Sequence, residues 1–294
     1  PYLCGAALYI NHDVYPFTLP EVRQAMAMVI DREESAFLTK GLSAEPVHYM
    51  AGLADSLVDL WLSDEDKAAL NTYEYNPQAA EELLLSIGFT RDDDGKWLDD
   101  QGNPVTGEYT FQAEWADYGA AAQHAVEELN DFGFDITGRA VQWQQLDEDI
   151  RNGNFTLSVR SWGAASSFPY DQFTGPLYFW NYTGLTEGQT GLNFPMELDW
   201  NGEPVDYTAL ISETGAGLEP EAQRPAVAEA AKIFNAQLPV IPLSMALTNN
   251  PLNENLAAGA PADDDPIWLN GGGAADNYIT YLVLHGTLTP GPDA

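Results

Sequence analysis

Apolar and polar positions along the chain alternate between two periods. Residues 2–10 form an apolar run that stops at Asn11 and predicts a strand. Thr18 reads as the cap of a helix with Pro20 near its first turn. Val22, Ala25, Met26, Val29 and Ile30 recur at helical spacing and give that helix its apolar stripe. Residues 42–62 keep no period and read as loop. Asn76-Pro77 opens a second helix as cap and first position. Ala80, Leu83, Leu84 and Ile87 line one face, and Gly88 stops it. Turns at Asp94-Gly95 and Gln101-Gly102-Asn103 then predict hairpins between Phe89 and Thr110.

The middle of the chain alternates strictly. Thr110 to Trp115 predicts a strand, Gly119 to Asn130 a helix, and Phe134 to Trp143 a strand. Leu146 to Asn152 predicts a short helix, and Phe155 to Trp162 a strand. That order is the α/β signature and predicts a sheet with at least partly parallel pairing. Residues 184–217 are Gly-rich and read as loop. A long helix follows over about 221–237, then a short buried strand over Val240 to Leu243. Residues 248–277 read as loop, and Tyr278 to Leu284 as a last strand. No internal repeat interrupts this order.

Composition narrows the function. The chain has 294 residues, 45% of them hydrophobic, enough for a sizeable core in one large domain or two smaller ones. Forty-five acidic residues against 11 basic ones give a formal charge of −34. Nucleic-acid phosphates and anionic membrane surfaces are therefore excluded as partners. Such a charge suits a salty or extracellular medium, where self-repulsion is screened. Cys4 is the only cysteine, so no intrachain disulfide forms. No apolar run reaches the ~18 residues of a membrane span, and no basic-then-apolar signal segment is present. The chain opens inside a strand-like run, which reads as a fragment or a separately expressed domain.

The usual catalytic signatures are missing. There is no phosphate-binding loop, dinucleotide fingerprint, HExxH or GxSxG. His12, His48, His124 and His285 are scattered without metal-ligand spacing, so no metal and no cofactor are expected. Asp92-Asp93-Asp94-Gly95 fails the calcium-loop pattern, because Thr90 and Gln101 stand where acids are needed. Acid pairs abound, but a glycosidase needs two carboxyls in one sheltered site. No enzyme is expected.

One long stretch stands apart in this acidic chain. From Val159 to Asn181 it holds no Lys and no Glu, and Arg160 is its only basic residue. Its aromatic rings alternate with small polar groups. Rings offer flat apolar faces and Ser, Asn and Asp offer directional hydrogen bonds, as a cleft for a polar, uncharged ligand needs. The stretch follows a strand end, where α/β sheets place their ligands. The alternative is a strand and loop whose aromatics pack in a core. The cleft reading makes Trp162, Ser166, Phe168, Tyr170, Asp171, Trp180 and Asn181 candidate ligand-binding residues, with Trp115 and Asn193 in a second rank. Trp143 reads as lining or core. Trp61, Trp97, Trp200 and Trp268 read as packing or surface residues.

Several segments together resemble one family. Pro16-Phe17-Thr18-Leu19-Pro20-Glu21-Val22-Arg23-Gln24-Ala25 with Ile30-Asp31-Arg32 is similar to the signature of bacterial extracellular solute-binding proteins of family 5. Tyr75-Asn76-Pro77-Gln78-Ala79-Ala80 with Leu83-Leu84 and Gly88-Phe89 resembles the family's next helix. Asp94-Gly95-Lys96-Trp97 with Asp100-Gln101-Gly102 resembles its hairpin, and Leu238-Pro239-Val240-Ile241-Pro242-Leu243 a late strand. The resemblance implies an α/β lobe of the type II periplasmic-binding-protein-like fold, a mixed sheet flanked by helices. It implies the C-terminal half of a longer protein. Residues 1–245 would be the second large lobe, and 246–294 a return segment toward the hinge and the absent first lobe. The implied protein is a monomer, extracellular or periplasmic and anchored through its N-terminal part, that hands its ligand to ABC permease subunits.

The resemblance also bears on the ligand. Peptide-binding members carry an Asp a few residues past the strand's Trp, and here Ala165 falls at that place, with Phe168 where a second Asp would be. An unpaired ammonium in a closed cleft costs several kcal/mol. Asp171 could stand in if the loop shifts. Trp162, Phe168, Tyr170, Trp180 and Asn181 resemble the stacking and polar contacts of sugar-binding members. The expected ligand is an oligosaccharide, with an oligopeptide as the alternative. Nickel and haem fit less well, because the loop has no histidine. A glycan-active enzyme or a surface-adhesion domain is a more distant alternative.

Overall fold

The computed structural model describes residues 3–164, 166–181, 184–247, 253, 255–262, 265–267 and 275–293. In chain order its first elements are β1 (Cys4–Ile10), α1 (Pro20–Val29), α2 (Arg32–Lys40), β2 (Ala44–Pro46), α3 (Asp55–Trp61), α4 (Asp64–Ala68) and α5 (Pro77–Ser86). The hairpin β3 (Thr90–Arg91) and β4 (Trp97–Leu98) follows, then β5 (Thr106–Gln112), α6 (Ala116–Asp131), β6 (Asp135–Val141), α7 (Trp143–Asn152), β7 (Leu157–Gly163) and α8 (Pro169–Leu177). The last part holds β8 (Glu197–Trp200), β9 (Glu203–Asp206), α9 (Tyr207–Glu213), α10 (Pro220–Gln237), β10 (Val240–Pro242), β11 (Ser244–Ala246), β12 (Ala257–Ala258), α11 (Ala275–Leu284) and β13 (Thr289–Pro290).

The central sheet runs in the order β10-β1-β7-β5-β6. β5 pairs parallel with both β6 and β7, while β1 is antiparallel to β7 and β10. The mixed, partly parallel sheet expected from the alternating segments is the one observed. β1 is covered on both faces, which is why its sequence reads as a continuous apolar run. Gly5 permits a close approach there, since a Cβ would stand 1.9 Å from the Ser244 carbonyl oxygen. The crossovers α6 and α7 bring the carboxyl ends of β5, β6 and β7 to one edge of the sheet.

The family-like signature proves to be a set of backbone clamps. The Arg23 guanidinium is 1% exposed and reaches four carbonyls. Its Nε donates to Gln237 O and Leu238 O at 2.9 and 3.1 Å, its Nη1 to Phe17 O and Thr18 O at 2.9 and 2.7 Å, and its Nη2 to Gln237 O at 2.6 Å. Gln24 donates to Ala236 O at 2.8 Å. Together they satisfy the carbonyls that the end of α10 leaves unpaired. Leu238, which follows, sits at φ +42°. Arg32 likewise donates to Val47 O, Ala27 O, Tyr73 O and Thr72 O. Asp31 caps α2 by accepting from the Glu33 and Glu34 amides.

His12 completes this clamp. Its ring is buried, with Nε2 2.8 Å from Pro239 O and an edge-on contact to Phe194 at 4.9 Å. Burial, and then the charge of Arg23, hold the imidazole pKa well below its ordinary value. The folded protein therefore binds one proton fewer than the unfolded chain below pH ~6.5. Stability from this group is complete above that pH and is lost as the pH falls through it. The expected slope is up to about 1.4 kcal/mol per pH unit between about pH 6 and 5. His12→Gln keeps an N–H donor and should lose this slope in urea titrations at stepped pH.

Several expectations need correction. Thr18 is not a cap; Leu19 holds that position without a side-chain bond, and Pro20 alone marks the start of α1. Residues 42–62 contain β2, paired with β11, and α3. Residues 184–217 contain the β8–β9 hairpin and α9. Its turn residues Asn201 and Gly202 have φ +57° and +83°, the conformation that Asn-Gly favours. Tyr278 to Leu284 belongs to α11 rather than a strand. A helix satisfies its own backbone groups, whereas a strand needs a partner. The end assigned to α5 holds: Asn76 caps it, Pro77 is its first residue, and Gly88 follows at φ +89°. Trp97 is wholly buried, Trp61 is nearly so, and Trp200 packs half-buried against the core. Trp268 lies outside the described residues.

Candidate functional site

β7 delivers the chain to the sheet edge at Gly163, which has φ +71°. The chain then turns into α8, whose first residue is Pro169. Gln172, fully buried in α8, pins the turn from beneath. Its Nε2 lies within hydrogen-bond distance of Leu3 O, Ala164 O and Ser166 O at 3.2, 2.7 and 2.8 Å. Gly175 lets α8 press against the turn, since a Cβ there would meet Gly163 O at 2.4 Å. Ser166 Oγ donates to Asp171 Oδ2 at 2.5 Å and accepts from the Phe168 amide at 3.2 Å.

This turn and α8 form the wall of an open depression of 710 Å³. Ser166, Tyr170, Asp171 and Trp180 line it, with Arg160, Thr174, Tyr178 and Phe179. Four of the candidates read from the sequence are thus brought together. The others are placed differently. Trp162 is completely buried, and its indole N–H donates to Ser244 O at 2.9 Å, so its ring serves the core beneath the site. Asn181 clamps the backbone of Phe194, donating to its carbonyl and accepting from its amide, both at 2.8 Å. Asn193 donates to Asn11 Oδ1 at 2.9 Å. The polar groups of these two asparagines are engaged within the fold. Phe168 is 65% exposed outside the lining. Trp115 precedes α6, half-exposed, edge-on to Tyr118 at 5.6 Å. Trp143, also half-exposed, starts α7. Ala165 lies outside the described residues.

Arg160 is the residue that the sequence underrated. Its Nη1 lies 3.0 Å from Asp147 Oδ1, and its Cζ stands 4.6 Å from the Trp180 ring centroid and 5.9 Å from that of Trp115. Arg151 approaches Trp180 and Phe179 at 4.8 and 4.6 Å. Trp180 is therefore fixed by cations and presents little surface of its own. Burial raises the Asp147 carboxyl pKa, opposed by Arg160 and Arg151. Among the described residues no group of acids, histidines or cysteines could hold a metal ion. The lining offers rings, hydroxyls and one internally paired cation.

Known proteins resemble this chain in sequence pattern and in fold. The family described as bacterial extracellular solute-binding proteins, family 5 middle, matches residues 1–183. A periplasmic oligopeptide-binding protein of an oligopeptide ABC transporter from Thermotoga maritima is similar in structure, with TM-score 0.67 and 19% identity over 92% of this chain and 51% of that one. Its mannohexaose-bound form gives TM-score 0.65 and 18% identity over 93% and 51%. AppA from Bacillus subtilis, in complex with a nonapeptide, gives TM-score 0.64 and 17% identity over 89% and 48%. No curated protein sequence matches. The chain spans about half the length of these solved structures. The match to more than half of this chain shows its kinship: it belongs to family 5 of the bacterial extracellular solute-binding proteins.

Proposed function

We propose that this chain is a lobe of the substrate-binding component of an ABC importer, and that its ligand is an oligosaccharide. Residues 1–245 would form the second large lobe, and 246–294 the return toward the hinge. The carrying observation is the depression at the carboxyl end of β7. Rings and hydroxyls line it, its one cation Arg160 is ion-paired with Asp147, and its one acid Asp171 accepts a hydrogen bond from Ser166. A neutral, hydroxyl-rich ligand meets that surface without leaving a buried charge unpaired. The similar Thermotoga protein in complex with mannohexaose supports this class. The complex of Bacillus subtilis AppA with a nonapeptide supports a second reading, an oligopeptide.

Two lobes closing on the ligand would hide it from water and present the loaded protein to a membrane permease. No helix among the described residues is long and apolar enough to cross a membrane. The test is a thermal-shift panel on the full-length protein with cello-, manno- and xylo-hexaose and a mixed peptide library. A ligand at about 100-fold its Kd adds about 2.7 kcal/mol, a rise of about 5–10 °C. A sugar should give that rise without any product. A rise with peptides alone would refute the oligosaccharide, and turnover of a glycan would refute the binding role.

A further inference from the structure

We propose that Gln112, Asp147 and Arg160 form a charge-neutral polar subsite at the head of the β5–β7 strand pair, and that it takes the hydroxyls of an uncharged sugar unit. The proposal rests on the oligosaccharide reading of the same depression and names the side chains that would enforce it.

The strand register puts two of these groups in one row. Thr110 stands opposite Ser158, and their hydroxyls are bonded at 3.1 Å. Two residues further along each parallel strand, on the same face, come Gln112 and Arg160. Asp147 reaches Arg160 from α7, the helix that leads into β7. Gln112 is 1% exposed, yet neither its amide nitrogen nor its amide oxygen has a hydrogen-bond partner. Arg160 Nε and Nη1 and Asp147 Oδ1 also make no aligned hydrogen bond, although the ion pair itself is close. Five of the ten such buried atoms among the described residues thus belong to three side chains, two set in one row by the β5–β7 register and two joined by an ion pair. Buried polar groups are nearly always satisfied, so this concentration directly behind Arg160, the member of the three that lines the depression, points to a ligand.

The charges decide which ligand. Asp147 already cancels Arg160. A carboxylate approaching Arg160 would also face Asp147, and an ammonium approaching Asp147 would face Arg160. Either end of a peptide is therefore disfavoured. A sugar hydroxyl both donates and accepts. Arg160 donates, Asp147 accepts, and the Gln112 amide does both, so a pair of adjacent hydroxyls can satisfy the cluster. The half-exposed Trp115 ring, 5.9 Å from the guanidinium carbon, offers an apolar face beside it.

The test uses the full-length protein and calorimetric titration. Its probes are the best-binding neutral hexaose of the cello, manno and xylo set and a hexaose of the same series whose terminal unit is a uronate. Gln112→Leu should weaken the neutral hexaose about tenfold, while the melting temperature holds or rises, because an unpaired buried amide is removed. Asp147→Asn leaves Arg160 uncompensated and should move the preference toward the uronate by about tenfold. If Asp147→Asn does not fold, Gln112→Leu decides alone. Both variants within about twofold of wild type for both probes would overturn the subsite and leave the oligosaccharide reading standing. Binding of peptides alone would overturn both.

Discussion

Arg23→Met should lower the unfolding free energy by about 4 kcal/mol, one of the largest losses available from a single position. The side chain makes five hydrogen bonds to four carbonyls, and no carboxylate shares the work. Methionine keeps much of the volume but orphans those carbonyls. Each buried acceptor left without a donor costs about 1–3 kcal/mol, offset in part by no longer burying a guanidinium. That burial is real, since it holds the Arg23 pKa down at about 10, still charged near neutrality. Two of the carbonyls, Gln237 and Leu238, close α10 just before β10, which pairs with β1. The loss should therefore appear in the whole cooperative unit. Arg23→Lys keeps the charge but not the fork and should recover less than half. Urea unfolding at constant slope measures both. A loss below about 1 kcal/mol for Arg23→Met would refute the clamp.

Salt should raise the melting temperature strongly. The chain carries −34, and its few cations are committed to particular places. Among the described residues only Asp59, Asp64, Asp66, Glu81, Glu108, Asp147 and Glu221 lie within ion-pair distance of a Lys or Arg. Arg23, Arg32 and Arg151 are instead bonded to carbonyls. Most of the acidic surface therefore repels itself. The screening length falls from about 30 Å at 0.01 M salt to about 3 Å at 1 M. Relief of about 0.1 kcal/mol for each uncompensated charge sums to about 3 kcal/mol, or about 6–12 °C in Tm. Sodium and potassium chloride should act alike, since screening follows ionic strength. A Tm that stays flat between about 0.05 and 1 M of either salt would contradict this electrostatic account.

How far the sequence disclosed this molecule differs between fold and site. Period and punctuation sufficed for β1, α1, α5, α6, β7 and α10, because each has a strong apolar period or a Pro or Gly at its boundary. Failures came where partners decide. β2 is three residues long and exists because β11 lies beside it. α11 looks like a strand from its branched and aromatic residues, yet among the described residues no strand pairs along it. The Asn201-Gly202 turn was legible, and a hairpin between Glu197 and Asp206 follows from it. At the site, aromatic density found the right stretch but not the right faces. Trp162 and Trp180 read as ligand-binding rings, with core packing as the alternative; one is core and the other is buried and fixed by two arginines. Tyr170, Thr174 and Tyr178 share a wall because α8 is helical and they are four residues apart. That helix was not foreseen, since the stretch reads as a strand and loop, although Pro169 stands at its first position. Asp147 and Gln112 could not be foreseen, because only the sheet register and α7 carry them to Arg160.

The most direct test of the account locates the ligand without altering the protein. Amide hydrogen exchange would be followed in the full-length protein with and without the best ligand of the hexaose and peptide panel. The account predicts slowed exchange in the β7–α8 turn and along α8, from Ser161 to Trp180, with little change around a second, separate depression near Arg32, His48 and Glu74. Protection confined to that second depression, or absent from residues 161–180, would contradict it.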